Sequence, residues 1–177
     1  IELDENYLFK ISQNVENKTS SSIDLYPYAQ ISRNKIPDDI QNFYISHEGF
    51  IGVFDEELKE DDYDDVEEKK IVREANKGWL GITDKYWMTV LVPEQGQNFK
   101  STFLYKEGFK ANYILNKPTT ITPSSSKSNN VRLFVAAKEV EAIDAYAANQ
   151  NIDKLDLTID WGWFYFFTKP LFFVIDY

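Results

Sequence analysis

The sequence has no cysteine among its 177 residues, and it has one histidine and one methionine. Without cysteine the chain has no disulfide bond, no thiolate nucleophile and no cysteine-ligated zinc. Basic residues are also scarce, because 19 Lys and Arg stand against 29 Asp and Glu, for a formal net charge of −10. Such a surface repels nucleic-acid phosphates and disfavours electrostatic binding to anionic lipid. We therefore expect no nucleic-acid partner, and any membrane contact must be hydrophobic.

Catalytic motifs are missing as well. The single histidine, His47, lies between Ser46 and Glu48. Neighbours along a strand point to opposite faces, so these three residues cannot form a catalytic relay without help from elsewhere, and we interpret His47 as a surface or turn histidine. The sequence contains neither a Gly-x-Ser-x-Gly elbow nor a glycine-rich phosphate-binding loop. We therefore predict a protein that is not an enzyme, with no catalytic, cofactor-binding or metal-binding residues.

Aromatic residues, in contrast, are abundant. The sequence contains 11 Tyr, 13 Phe and 4 Trp, and hydrophobic residues make up 43% of it, as in a chain that folds. Apolar residues fall on one parity of residues 7–15 with polar residues between them, which is typical of a half-buried strand. The apolar residues are Tyr7, Phe9, Ile11 and Val15, and the polar residues are Lys10, Ser12 and Asn14. Further strands are predicted at residues 23–33, 43–54, 86–92, 99–106, 109–115, 119–122 and 131–137. Many short strands separated by turns predict an all-β fold, a β-sandwich over residues 1–137.

Three of these predicted strands carry further information. Pro27 cannot donate a ladder hydrogen bond, so its strand lies at a sheet edge or is broken there. Gly49 and Gly52 indicate a bulge or a bend in the next strand. Residues 86–92 have apolar side chains on both faces, which indicates a central strand covered on both sides.

Residues 55–70 interrupt the strand pattern, because most of them are charged. We interpret this segment as a solvated loop or a mobile excursion, within an acidic loop that extends over 55–77. Its aspartates carry the charge that attracts Ca²⁺, but an EF-hand loop requires a glycine at its sixth position and a glutamate at its twelfth, and neither is so arranged here. The aspartates concerned are Asp61, Asp62, Asp64 and Asp65.

The C-terminal fifth of the chain changes from strand to helix periodicity. Val140, Ile143 and Tyr146 recur at helical spacing and predict a short amphipathic helix over 138–150. Residues 161–168 are apolar all round a helical wheel, so a helix there must be buried in protein or lie at a lipid boundary. That helix is too short to span a bilayer, which takes ~20 apolar residues.

Lys169 and Pro170 are predicted to end this apolar helix, and a second apolar stretch begins at Leu171. Trp and Tyr favour the headgroup level of a membrane, and Lys169 can extend its stem while its ammonium stays in water. Two interpretations remain open: a short interfacial helix that leads into a membrane span, or a C-terminal helix packed into the sandwich core. The first interpretation places eight residues at the membrane interface, namely Trp161, Trp163, Phe164, Tyr165, Phe166, Phe167, Lys169 and Pro170.

The string GWLGITDKYWMTVLVP at residues 78–93 closely resembles a segment of YidC-family periplasmic domains. Three further strings agree with that family in the same order: LYPY with ISR at 25–33, AKEV with DAY at 137–146, and IDWGWFYF with TKP at 159–170. The chain is similar, over nearly its whole length, to the C-terminal portion of the periplasmic domain of a YidC-family bacterial membrane protein insertase. The resemblance implies a structural role for the signature residues Gly78, Trp79, Leu80, Gly81, Asp84, Lys85, Tyr86 and Trp87.

That resemblance implies a twisted antiparallel β-sandwich of the supersandwich type, similar to galactose mutarotase, with short C-terminal α-helices. It implies a position in the periplasm, with residues 138–177 as a helical linker to an inner-membrane span that this sequence lacks. The implied function is that of a non-catalytic accessory module that assists the insertion and folding of membrane proteins, alone or with the Sec translocon. The implied partners are the membrane core of the same insertase, Sec translocon subunits, nascent membrane proteins and, through the C-terminal helix, the lipid interface.

A hypothesis from another functional class also stands: a carbohydrate-binding or mutarotase-like sandwich protein. It rests on the acidic composition rich in Trp and Tyr, and on His47 next to Glu48. Exposed rings in a cleft between sheets would also suit an extended peptide, although most Phe side chains in a domain of this size are expected in the core. Open strand edges further predict a homo-oligomer of the chain.

Overall fold

The structure, a computed structural model, describes residues 1–5, 7–37, 47–150, 152–159 and 165–175. In those ranges the chain forms thirteen strands, three α-helices and one 3₁₀ helix, Leu155–Thr158. The strands are β1 Glu2–Leu3, β2 Leu8–Glu16, β3 Ile23–Leu25, β4 Tyr28–Arg33, β5 Gly49–Phe54, β6 Glu57–Asp61, β7 Ile71–Ala75, β8 Gly78–Thr83, β9 Trp87–Val92, β10 Phe99–Tyr105, β11 Phe109–Leu115, β12 Thr119–Ile121 and β13 Ser126–Ala137. The helices are α1 Tyr63–Glu68, α2 Val140–Asn149 and α3 Tyr165–Ile175. The predicted all-β fold with short helices is confirmed.

The strands form two main antiparallel sheets that pack face to face. The larger sheet has seven strands in the order β1-β2-β13-β9-β8-β5-β6, and the smaller sheet has four in the order β4-β11-β10-β7. A two-stranded ribbon of β12 and β3 completes the set among the described residues. Phe50 and Leu91 of the larger sheet share a core with Phe99, Phe103 and Tyr113 of the smaller sheet. This core confirms the predicted β-sandwich and is rich in aromatic rings, as expected for most of the phenylalanines.

Helices cover the second face of the larger sheet. Trp79 shares a second core with Ile143 of α2 and with Leu155 of the 3₁₀ helix. Because both faces of the sheet are covered, β5 and β8 are buried at every position. The central strand predicted at 86–92 is confirmed as β9, the middle strand of the sheet. The amphipathic helix predicted at 138–150 is confirmed as α2.

The structure tests two further predictions, the strand break at Pro27 and the half-buried N-terminal strand. Pro27 separates β3 from β4, and β4 is an edge strand of the smaller sheet, so the predicted strand both breaks and lies at an edge. The N-terminal strand differs from its prediction: Tyr7 is 59% exposed, whereas Leu8 is fully buried. The prediction that only one face of this strand is buried fails at its N-terminal end. Leu8 lies in the core under α2, so the two faces of the strand contact two different cores.

The prediction of a solvated loop over 55–77 is wrong. Strand β6 pairs with β5 along five residues, α1 follows, and β7 pairs with β10. The segment is ordered because two of its apolar residues are buried. Tyr63 and Val66 lie three positions apart on α1, and both pack into the core between the sheets. Arg73 of β7 donates hydrogen bonds of 2.7 and 2.8 Å to the carboxylate of Asp61 at the end of β6. The charged run is therefore the outer surface of ordered elements.

Helix α3 passes through Pro170, so the prediction that Lys169 and Pro170 end the helix is wrong. Proline removes the hydrogen bond to the residue four positions earlier, which is Phe166, the second residue of the described helix. The helix nevertheless continues beyond Pro170 to Ile175. Among the described residues, no helix combines the length and the apolar composition that a membrane crossing requires.

Candidate functional site

The signature segment, residues 78–87, begins with glycines whose positions leave no room for a side chain. At Gly78, where φ is +128°, a Cβ atom would lie 1.8 Å from the backbone oxygen of Val53. At Gly81 it would lie 2.1 Å from the backbone oxygen of Thr89. Both obstacles are backbone atoms of neighbouring strands, so β8 fits between β5 and β9 only because these two positions lack a side chain.

Trp79 and Leu80 point to opposite faces of the larger sheet, and both are fully buried. Leu80 belongs to the core between the sheets, and Trp79 belongs to the core under the helices. The indole N–H of Trp79 donates a 3.0 Å hydrogen bond to the backbone oxygen of Asp153. The ammonium of Lys154 donates a second one, of 2.6 Å, to the backbone oxygen of Glu56. These two hydrogen bonds hold the chain just before the 3₁₀ helix against the larger sheet.

Asp84 joins the turn after β8 to the smaller sheet. Its carboxylate accepts two hydrogen bonds from the guanidinium of Arg33 at the end of β4. Arg33 also donates a 2.5 Å hydrogen bond to the hydroxyl of Tyr63. The hydrogen bond to Asp84 raises the pKa of Arg33, and burial raises the pKa of Tyr63 to about 12. The trio links both sheets and α1, which gives Asp84 a structural role.

The end of the signature segment is exposed. The side chains of Tyr86 and Trp87 are 64% and 61% exposed. The ammonium of Lys85 lies 5.1 Å from the centroid of the Tyr86 ring, which is a cation–π distance. Trp87 borders a hollow of about 190 Å³ whose other lining residues are Tyr7, Val135, Ala136, Ala137, Glu139 and Ala142. Packing accounts for the segment from Gly78 to Asp84, and it does not account for the two exposed rings.

His47 lies just before β5, with its side chain only 13% exposed. Its Nε2 is 2.9 Å from the backbone oxygen of Phe50, and its Nδ1 is 3.5 Å from the carboxylate of Asp62. Ser46 lies outside the described residues. Within the ranges that the structure describes, no group of three or more His, Asp or Glu side chains is placed to hold a metal ion. Asp61, the buried member of the acidic run, is paired with Arg73 instead.

Helix α3 carries an exposed apolar stripe. Phe167, Leu171, Val174 and Ile175 occupy positions i, i+4, i+7 and i+8, which share one face of a helix. Their side chains are 67%, 56%, 74% and 75% exposed. None of the described α3 side chains belongs to either core, which disagrees with the interpretation of a helix packed inside the sandwich.

The structure covers the predicted membrane-interface residues only in part. Phe167 and Pro170 are described, and both are exposed. Outside the description lie all of Trp161, Trp163 and Phe164, together with the side chains of Tyr165, Phe166 and Lys169.

A cleft of about 270 Å³ lies beside edge strand β4, and the sequence does not predict it. Tyr26, Pro27 and Tyr28 line one side of it, and Gln13 and Val15 of β2 also line it. Its remaining lining residues are Leu25, Thr119, Ile121, Lys127, Ser128 and Asn129. The sequence offered one signal, a proline between two tyrosines at a strand break. The other walls depend on a pairing between strands far apart in the chain, such as residues 116 positions apart on β2 and β13.

Comparison with known proteins agrees with the signature strings. The sequence model of the family described as YidC periplasmic domain matches residues 1–174. The membrane protein insertase YidC of Pelagibacter ubique (strain HTCC1062) is 49% identical over 177 residues, which cover 100% of this chain and 32% of that protein. The membrane protein insertase YidC of Agrobacterium fabrum (strain C58) is 39% identical over 183 residues, which cover 100% of this chain and 30% of that protein.

A third relative, the membrane protein insertase YidC of Cereibacter sphaeroides (strain KD131), is 37% identical over 201 residues, covering 100% of this chain and 32% of that protein. The chain therefore spans about a third of the length of the curated relatives it matches. The family model matches residues 1–174. The fold agrees with this match, and so do the buried glycines and tryptophan of the signature segment. The chain belongs to the family of YidC periplasmic domains.

Proposed function

We propose that this chain is a non-catalytic accessory module of an inner-membrane protein insertase, and that α3 tethers it to the membrane by lying at the interface between lipid and water. The module assists the insertion and folding of membrane proteins, alone or with the Sec translocon. Its partners are the membrane core of the same insertase, subunits of the Sec translocon and nascent membrane proteins. The periplasmic family and the name of the relatives, membrane protein insertase, support the first half of the proposal.

The apolar stripe of α3 supports the second half. It presents Phe167, Leu171, Val174 and Ile175 to solvent on one helical face, each more than half exposed. Burying one such side chain fully contributes roughly 1.5–3 kcal/mol, so a lipid boundary that covers the stripe stabilises the bound state. The net charge of −10 gives no electrostatic attraction to anionic lipid, and the stripe needs none.

The contacts before α3 support a short tether. Trp79 and Lys154 fix the chain to the sheet near the 3₁₀ helix. Five residues separate Ile159 from Tyr165, so even a fully extended connection reaches at most ~20 Å. A membrane-bound α3 would therefore keep the sandwich close to the bilayer surface.

Flotation with phosphatidylcholine vesicles tests the tether. The unsubstituted chain is expected to float with the vesicles, and Leu171→Asp is expected to abolish flotation because a carboxylate on the stripe would have to be desolvated. Val72→Asp is the matched control, since Val72 is an apolar residue of β7 with a similar exposure of 45%, and this variant should float like the unsubstituted chain. The tether is ruled out if the unsubstituted chain stays in solution or if Leu171→Asp floats equally well.

A second candidate function is carbohydrate binding. The observation that favours it is the cleft, where the rings of Tyr26 and Tyr28 line the same space as the amides of Gln13 and Asn129. Aromatic walls with a few polar groups are the usual make-up of a small-molecule site. Binding on a glycan array that disappears in Tyr26→Ala would support this function, and an array without any signal would exclude it.

A further inference from the structure

We propose that the hollow beside Trp87, here named the acidic hollow, binds the guanidinium group of an arginine side chain on a partner polypeptide. The acidic hollow is lined by Tyr7, Trp87, Val135, Ala136, Ala137, Glu139 and Ala142. It lies at the start of β9, and this proposal does not depend on the lipid tether or on the cleft.

The shape of the acidic hollow suits one long side chain. Ala137 is the strand partner of Trp87, and Ala136 and Ala142 complete a floor of small residues. Because these residues are small, the rings of Trp87 and Tyr7 stand above the floor and remain 61% and 59% exposed. The volume of the acidic hollow is about 190 Å³, below the roughly 300–1,000 Å³ usual for drug-sized ligands. It leaves room for one arginine side chain, with its methylene stem and its planar guanidinium group.

The charge of the acidic hollow selects a cation. Glu139 is exposed at the N-cap of α2, where its side chain makes no capping hydrogen bond, and no ion pair of its carboxylate occurs in the described part of the chain. No Lys or Arg stands among the described residues that line it. A guanidinium can stack on an indole ring and donate hydrogen bonds to a carboxylate at the same time. The net charge of −10 favours the approach of a basic partner.

The neighbouring ring, Tyr86, has a cation of this chain beside it. Tyr86 already carries the ammonium of Lys85 at 5.1 Å from its centroid. Trp87, whose indole is the strongest cation–π acceptor among side chains, has no cation over it among the residues described. The turn thus holds one ring with an internal cation and one ring that is open to an external cation.

The backbone at Tyr7 supports a binding role for its ring. Tyr7 has φ +69°, a left-handed conformation that is uncommon for a bulky residue. Its backbone oxygen accepts a 3.3 Å hydrogen bond from the N–H of Val135 on the floor strand β13. Strained backbone of this kind persists where surrounding contacts hold it, and it clusters at binding sites. Here it fixes an exposed ring at the rim of the acidic hollow.

An NMR titration tests the proposal with the pentapeptide acetyl-Gly-Gly-Arg-Gly-Gly-amide as the probe. The indole N–H signal of Trp87, assigned by its absence in Trp87→Phe, is expected to shift and saturate. The same peptide with citrulline in place of arginine keeps the shape, loses the charge and should give no saturable shift. Equal binding of the citrulline peptide would overturn the proposal.

Variants separate the acidic hollow from general attraction to an acidic protein. Glu139→Gln is expected to weaken arginine-peptide binding about fivefold, the size of one exposed charged contact. Trp87→Ala is expected to abolish binding, as followed by the backbone amide signals of Ala136 and Ala142. Glu74→Gln, at an exposed carboxylate on β7, is the matched control and should bind like the unsubstituted chain. Unchanged binding in Glu139→Gln or in Trp87→Ala, or an equal loss in Glu74→Gln, would refute the site.

Discussion

The indole N–H of Trp79 donates a hydrogen bond to the backbone oxygen of Asp153, 74 positions later in the chain and 3.0 Å away. The donor belongs to a central strand of the larger sheet, and the acceptor lies two residues before the 3₁₀ helix. One buried side chain therefore connects the signature segment with the region that leads to α3. The position of that region depends on a ring that no solvent reaches.

Trp79→Phe is predicted to keep most of the buried ring and to lose this hydrogen bond. The lost hydrogen bond and the space left beside the smaller buried ring together are expected to lower the free energy of unfolding by roughly 1–3 kcal/mol. Urea denaturation measures the loss. Trp87→Phe is the matched control at an exposed tryptophan and should stay within about 0.5 kcal/mol of the unsubstituted chain. Equal losses in the two variants would contradict the role assigned to Trp79.

Gly81→Ala is predicted to destabilise the larger sheet severely. The added Cβ would lie 2.1 Å from the backbone oxygen of Thr89, so β8 and β9 would have to separate. We expect a loss above about 3 kcal/mol, or no folded protein at all. Gly96→Ala is the control, because nothing lies within 4 Å of an added Cβ there and only the strain of φ +81° remains, at about 1 kcal/mol. Thermal denaturation followed by circular dichroism compares the two, and a mild effect at Gly81 would show that the strands can shift.

The stability of the chain is predicted to fall as the pH rises through the range 10–12. Burial raises the pKa of Tyr63 to about 12 from its ordinary value of 10, so the folded chain keeps a proton that the unfolded chain has lost. The free energy of unfolding therefore decreases across this window, by about 3 kcal/mol in total for this residue. Tyr63→Phe should flatten the decrease in urea titrations, although Tyr113, whose pKa burial also raises, keeps part of it. An unchanged slope in Tyr63→Phe would contradict the assignment.

Arg73→Met is predicted to cost about 3 kcal/mol, because it leaves the carboxylate of Asp61 buried without its partner. The side chain of Asp61 is only 11% exposed. Adding Asp61→Asn removes the unpaired charge and should recover more than half of that loss. Lys59→Met breaks the exposed pair with Glu57 and serves as the control, with an expected effect within about 0.5 kcal/mol. A double variant as unstable as Arg73→Met alone would argue against the buried charge as the cause.

Self-association is predicted to occur through an open edge of the smaller sheet. Strand β7 ends that sheet, and its Val72 is 45% exposed. Sedimentation velocity at rising concentration should show a dimer, and Val72→Lys should restore the monomer because a charge on an edge strand opposes pairing. A clean monomer of the unsubstituted chain at high concentration would remove this prediction.

Alternation of apolar residues was enough to predict the sandwich and its central strand. In β9, Met88 and Val90 face the helices while Leu91 faces the other sheet, and this two-sided pattern is visible in the sequence. The acidic segment was misread because its many charges concealed the spacing of Tyr63 and Val66. The rings that pack on Tyr63 belong to Phe50 of β5, 13 residues before it, and to Phe109 of β11, 46 residues after it, and no local pattern predicts these contacts.

Only part of the candidate site could be predicted from the sequence. The signature strings located residues 78–87, but the sequence gives no sign that Trp79 is buried and Trp87 is exposed. The difference arises because α2 and the 3₁₀ helix cover the sheet at Trp79, whereas Trp87 is the first residue of its strand. The acidic hollow likewise forms only when β13 brings Ala137 next to Trp87. Such features depend on long-range pairing, which periodicity does not encode.

The position of β13 in the larger sheet also sets the order in which this protein can be built. Among the described strands it alone connects β1 and β2 with the other four members of that sheet, and a partner such as Ser12 lies 118 positions before Asn130. Closing a loop of that length is slow compared with forming hairpins. A polypeptide that emerges N-terminus first holds β2 without its main neighbour until residues 126–137 arrive. Completion of the larger sheet is thus a late event, and proteases and premature aggregation have their best opportunity just before it.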